Sequence, residues 1–175
     1  MLVNLTDVFT IEGQVQELTV PYEADTFSSR TGTYFIREKS PVVLKLSNIE
    51  QSKALVQGTT KLVFVLSCDR CLRDVDYTFD LSFESIVVSP DYVGDAIENE
   101  DSLELMEGYH LNVDELVNNE LLLNWPMKIL CKEECKGICK VCGRNLNDGA
   151  CGCDDFVPDP RLAVIKDLFN ANKEV

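Results

Sequence analysis

Six of the eight cysteines in this chain crowd into twenty-three residues: Cys131, Cys135, Cys139, Cys142, Cys151 and Cys153. The tightest sub-pattern is Cys139-x-x-Cys142, then eight residues beginning with Gly143, then Cys151-x-Cys153. A structural zinc ion needs four sulfurs at ~2.3 Å from one point. A Cys-x-x-Cys turn aims two sulfurs at one metal. Gly143 allows the tight backbone that brings amide N–H groups towards those sulfurs. Asn145, Asn147, Asp148 and Gly149 are turn formers that return the chain. Cys151 and Cys153 alternate, so an extended backbone puts both on one face. The spacing predicts a structural Cys₄ zinc site at Cys139, Cys142, Cys151 and Cys153. With no histidine in the cluster and four thiolates in place, no position is left for a catalytic water.

The remaining cysteines, Cys68, Cys71, Cys131 and Cys135, form two pairs separated by 59 residues. A second zinc joining them is chemically sound. A partition that moves Cys131 or Cys135 into the first site stays open, because long-range pairing is not written in spacing. A redox role for Cys68 and Cys71 lacks the strand-to-helix setting of a thioredoxin-like motif. Zinc held by four thiolates carries a local charge of −2. Lys132, Lys136, Lys140, Arg144 and Arg70 lie among the cysteines, either to offset that charge or to hold phosphates.

These residues need elements to position them. Val15, Leu18 and Val20, the run Pro41–Leu46 and the apolar run Thr60–Leu66 read as strands, the last as one covered on both faces. From Asp76 to Glu84, Tyr77, Phe79, Leu81 and Phe83 alternate with polar residues, which predicts a strand with one wet face. Cys68-Asp-Arg-Cys71 then falls at a hairpin tip. Asn112, with Glu115 three residues on, starts a helix whose apolar face is Val113, Leu116, Val117 and Leu121. Trp125 reads as a packing residue at its end, before Pro126. Asp159-Pro160 opens a last helix with Leu162, Ile165, Leu168 and Phe169 on one stripe. The expected fold is α+β: an antiparallel β-rich body over residues 1–90, an acidic exposed loop over 91–110, and over 111–175 a helix, the zinc-binding segment and a C-terminal helix, all in one cooperative domain.

The net charge is −14, which disfavours recognition of nucleic acid by bulk charge. It is unevenly spread. Residues 91–120 hold ten acids and no base, and residues 121–175 hold eight of each. The first basic residue is Arg30 and the longest purely apolar run is Leu62–Leu66, so neither a signal peptide nor a membrane span is read. Eight cysteines in a reducing cytoplasm read as metal ligands before disulfides. His110, the one histidine, has no identifiable nucleophile partner and reads as a surface residue. No phosphate-cradling glycine loop, dinucleotide fingerprint or serine elbow is present. The chain therefore reads as a non-enzyme with no small-molecule substrate.

Cys68-Asp-Arg-Cys71-Leu72, the run from Cys131 through Cys135-x-Gly137-Ile138-Cys139-x-x-Cys142-Gly143-x-Asn145-Leu146-Asn147 to Cys151-x-Cys153, and the ending Asp159–Ile165 together resemble the YceD family of large ribosomal RNA subunit accumulation proteins. The resemblance covers most of the chain from about Thr60. It implies a ribosome biogenesis role in accumulation of 23S rRNA through binding that RNA or its precursor, and no catalytic residue. Arg70, Lys136, Lys140 and Arg144 are the expected phosphate contacts. The rival reading is a zinc-stapled adaptor that uses its acidic segment to hold a basic partner such as a ribosomal protein.

Overall fold

Alternating burial along two neighbouring segments, Lys53–Ser67 and Asp74–Val88, sets the backbone of this molecule. The computed structural model describes residues 1–30, 32–50, 52–92 and 105–153. In chain order the elements are β1 (Leu2–Asn4), α1 (Thr6–Thr10), β2 (Val15–Val20), β3 (Thr26–Ser29), β4 (Gly32–Lys39), β5 (Val42–Glu50), β6 (Lys53–Ser67), β7 (Asp74–Val88), β8 (Met106–Glu107), β9 (His110–Asn112) and α2 (Val113–Leu123). All strand pairs are antiparallel. The chain divides into two compact units, one of Met1–Ser67 with Asp74–Ile129, the other of Cys68–Arg73 with the chain from Leu130 on.

The first unit is built on the β6–β7 hairpin. Its fifteen residue pairs run from Lys53↔Val88 to Ser67↔Asp74 without a register shift, a ribbon of about 50 Å at ~3.3 Å per residue. The other edge of β6 is shared end to end. Strand β5 pairs with its first half and β4 with its second. Pro41, which has no N–H to give, sits at the break between them. There the Ser40 N–H donates to the Lys61 carbonyl (2.9 Å), and the buried Thr60 hydroxyl donates to the Ser40 carbonyl (3.1 Å). Strands β2 and β3 line the outer edges of β5 and β4. A smaller sheet has the order β1-β9-β8.

One face of the large sheet is the core. Thr60, Leu62, Phe64 and Leu66 on β6 are buried, as are Phe79, Leu81 and Phe83 on β7. Lys61 is exposed, and Val63 and Val65 are only partly covered. The expectation that Thr60–Leu66 is covered on both faces is therefore corrected. The outer valines satisfy the strand's preference for β-branched residues without burial, and Lys61 pairs with Asp80 in solvent (3.3 Å). The alternation expected from Asp76 to Glu84 is present and begins at Asp74; it breaks at the end of β7, where Ile86 is exposed and Val87 and Val88 are both buried.

Helix α2 starts as its sequence predicts: Asn112 Oδ1 accepts the Glu115 N–H (3.3 Å), and Val113, Leu116, Val117 and Leu121 are buried. Trp125 is a packing residue, with its ring 4.6–5.8 Å from those of Phe27, Tyr34, Phe64 and Phe79. The short elements β1 and α1 carried too few residues to read from periodicity. Most of the acidic segment (93–104) and the helix expected from Asp159 on lie outside the described residues. No helix among those described is long and apolar enough to cross a membrane.

One glycine holds the hairpin flat against its neighbours. A Cβ at Gly58 would stand 2.2 Å from the Phe83 ring and 3.0 Å from Leu44. Gly58→Ala must push a buried ring off its cross-strand partner, a cost of about 1–3 kcal/mol. Urea unfolding of that variant should show a lower midpoint with an unchanged slope.

Candidate metal centres

The turn between β6 and β7 and the chain from Leu130 bring all eight cysteines together in the second unit. They form two groups of four, Cys68, Cys71, Cys131 and Cys135, and Cys139, Cys142, Cys151 and Cys153. Within each group the sulfurs all lie within 4.8 Å of one another. Sulfurs ~2.3 Å from a tetrahedral ion stand ~3.8 Å apart. The Cys68–Cys135 separation is 3.8 Å and the Cys71–Cys131 separation 3.5 Å. All eight are free thiols. The donor set is entirely sulfur, which suits a tetrahedral, thiolate-preferring ion.

Two turns of the same construction carry half of each group. In the first, the Cys68 N–H donates to the Arg73 carbonyl (2.8 Å) and the Leu72 N–H to the Cys68 carbonyl (2.9 Å). In the second, the Cys139 N–H donates to the Arg144 carbonyl (2.8 Å) and the Gly143 N–H to the Cys139 carbonyl (2.9 Å). The residue after the second cysteine is left-handed in both: Leu72 at φ 59° and Gly143 at φ 73°. The repeat Cys-x-x-Cys-x-Arg is legible in the sequence. The left-handed leucine is not, because that conformation disfavours any side chain. Leu72 is exposed, so no packing offsets its strain.

The second halves are held by polar contacts. Asn147 Nδ2 donates to Cys135 Sγ (3.2 Å), and Asn147 Oδ1 accepts the Lys136 N–H (3.0 Å). Asn145 Oδ1 in turn accepts from the Asn147 N–H (2.9 Å) and from its Nδ2 (2.8 Å). Arg70 donates to the Cys135 carbonyl (2.8 Å). Gly137, at φ 78°, lies so close to the Arg70 carbonyl that a Cβ would stand 3.0 Å from it. Arg73 Nη2 donates to both carboxylate oxygens of Asp148, each at 2.6 Å. Asn147, Asp148 and Arg73 were not among the expected functional residues. Asn147 and Asp148 have turn-forming composition, which hides any second role.

Burial shows what this unit lacks. Among its described residues, the buried side chains are Cys68, Cys71, Cys135 and Cys139. Leu72, Ile138 and Val141 are exposed. Among the described residues the cysteines themselves are the core, and no cluster of buried apolar side chains stands beside them to hold this part folded without a metal.

The thiols share charge unevenly. Burial opposes ionisation of Cys68, but backbone N–H groups of Arg70, Cys131 and Cys71 outweigh it and bring the thiol down to about 6. Burial and the neighbouring thiols push Cys131 up to about 12. Backbone N–H groups of Cys142 and Val141 lower Cys139 to about 7, while hydrogen bonds with Cys142 and Cys151 hold Cys153 up at about 12. Each group therefore stabilises its first thiolates and resists the last. A divalent cation reverses that resistance.

Lys132, Lys136, Lys140 and Arg144 are exposed and have no ion-pair partner among the described residues. Between Cys135 and Asn147 the chain carries three cations and no acid. Arg70 differs from them in being fastened to Cys135. His110 is exposed on β9.

A family model described as "Large ribosomal RNA subunit accumulation protein YceD" matches residues 56–169. The chain is 29% identical over 141 residues to the uncharacterized protein YlbN of Bacillus subtilis, covering 79% of this chain and 80% of that one. It is 24% identical over 100 residues to uncharacterized proteins of Mycobacterium bovis and Mycobacterium tuberculosis, covering 57% of this chain and 48% of theirs. No solved structure matches.

Two outcomes follow from this geometry. Because Cys131 and Cys153 keep their protons up to about 12 without metal, binding displaces at least one proton per group across neutral pH. Metal affinity should fall by at least about tenfold for each unit drop in pH between 8 and 6. Chelator competition at three pH values measures this, and a flat profile contradicts it. Gly143→Val forces a β-branched residue into the left-handed region at ~1–2 kcal/mol, so metal retention by the second group should drop about tenfold. Leu72→Gly, which relieves strain, should leave retention equal or better.

Proposed function

Since the chain belongs to the YceD family of large ribosomal RNA subunit accumulation proteins, we propose that it is a non-enzymatic factor of ribosome biogenesis that binds 23S rRNA or its precursor in the cytoplasm. Zinc is the ion proposed for both cysteine groups. It has no redox chemistry of its own, and four thiolates complete its tetrahedron without an open position. Cys68, Cys71, Cys131 and Cys135 would hold one ion, and Cys139, Cys142, Cys151 and Cys153 the other. The metal is a scaffold, and the chemistry of the site is binding.

The observation that carries the RNA reading is the run of exposed cations at Lys136, Lys140 and Arg144, without ion-pair partners among the described residues and mounted on a backbone that the cysteines pin. Arg70 is given a different part: its guanidinium fastens the hairpin turn to Cys135. The described part of the unit, residues 68–73 with 130–153, has six basic and four acidic side chains. Two Zn(Cys)₄ centres add about −4, so attraction to phosphate rests on local placement, not net charge. Such contacts are short-ranged, because screening takes hold beyond ~8 Å at physiological salt.

Gel shifts with large-subunit rRNA fragments at two salt concentrations test this. Affinity should fall as salt rises, and Lys140→Glu with Arg144→Glu should weaken binding and flatten the log–log slope by about 1.5. Zinc content measured in parallel should be unchanged. If the double variant instead loses zinc while the wild type never binds RNA, these cations serve only to neutralise thiolates. Retention of a basic ribosomal protein with no RNA contact would favour the adaptor reading.

A further inference from the structure

The eight residues between Cys142 and Cys151 belong by sequence to the second cysteine group. Two adjacent side chains of this loop nevertheless act on the first. Asn147 donates to Cys135 Sγ and accepts the Lys136 N–H. Both oxygens of Asp148 accept from Nη2 of Arg73, the residue whose carbonyl closes the turn carrying Cys68 and Cys71. The loop thus touches both halves of the first group, on the hairpin side and on the Leu130 side. Its own ends are two ligands of the second group. Leu146 adds a backbone tie, its N–H donating to the Gly137 carbonyl (2.9 Å) within the three-residue link between Cys135 and Cys139.

Resting on the metal reading above, we propose that this loop couples the two centres: metal at one raises the affinity of the other, with Asn147 and Asp148 as the positioning residues. The physical reason is shared ordering. Metal at Cys139, Cys142, Cys151 and Cys153 fixes both ends of the loop. That places the Asn147 carboxamide against Cys135 before any metal reaches the first group, so the first group meets less ordering entropy when it fills. Linkage makes the effect mutual. Asn147 carries the larger share. Its contact is with a ligand sulfur and is partly buried, whereas the Arg73–Asp148 pair is more than half exposed and is screened by solvent.

The test is a double-mutant cycle on the full chain with cobalt(II), read from its thiolate charge-transfer absorption under chelator competition. Cys68→Ser with Cys71→Ser disables the first centre. Affinity of the second centre should then fall about tenfold, within the usual range of site–site coupling. In an Asn147→Leu, Asp148→Ala background the same disabling should change it by less than about twofold. No fall in the native background, or an equal fall in both, overturns the proposal. Should the serine variants fail to fold, chelator-driven zinc release supplies the answer. The two release phases should lie further apart in Asn147→Leu than in the wild type, whereas an equal separation in both overturns the coupling. A chain that takes up no metal overturns the metal reading itself, while two ions that load independently overturn only the coupling.

Discussion

Four sulfurs held within 4.8 Å of one another cannot all become thiolates unless a cation stands among them. Burial and the neighbouring thiols hold the proton on Cys131, and hydrogen bonds with Cys142 and Cys151 hold it on Cys153, while backbone N–H groups favour the thiolates of Cys68 and Cys139. Among its described residues, the unit that contains them buries cysteine where a larger domain buries leucine. With the proposed metal bound, folding and metal binding of this unit are one equilibrium: isolated zinc modules draw ~10 kcal/mol or more of folding free energy from the ion. The other unit is independent in this respect. It has a core of its own, with Phe64, Leu62, Leu44 and Leu121 fully buried.

The hairpin supplies one half of the first centre from far away in sequence. An uninterrupted fifteen-pair register delivers Ser67 and Asp74 opposite each other, and the turn they bracket needs a left-handed residue at Leu72 to aim both sulfurs one way. A ribbon that long with a single slip would turn its apolar face outwards. Gly58 under Phe83 and the Thr60–Ser40 contact beside Pro41 are local devices that keep the sheet closely packed over that length.

Much of this was legible. Period-two alternation marked β7, the Asn112 cap marked α2, and cysteine spacing marked the group at Cys139, Cys142, Cys151 and Cys153. The other four cysteines were legible as ligands of some kind, but their assembly depends on where a hairpin ends and the Leu130 segment begins. The burial of β6 was misread because valine is favoured in strands whether or not it is covered. Asn147 and Asp148 were hidden for a related reason: a residue that suits a turn gives no sign of what its side chain reaches. The repeated arginine two places after each Cys-x-x-Cys, Arg73 and Arg144, was visible and marks the shared turn. The two arginines then diverge, one bonded to Asp148 and the other free of ion pairs among the described residues.

The proposed metal–sulfur bonding is what would hold the cysteine unit together. X-ray absorption at the zinc edge of the purified full chain, normalised to protein concentration, probes it directly. Two zinc ions per chain are expected, each with four sulfur neighbours at ~2.3 Å and no nitrogen or oxygen ligand. A reduced, folded protein without zinc, or zinc with a mixed shell and an open position, would contradict it.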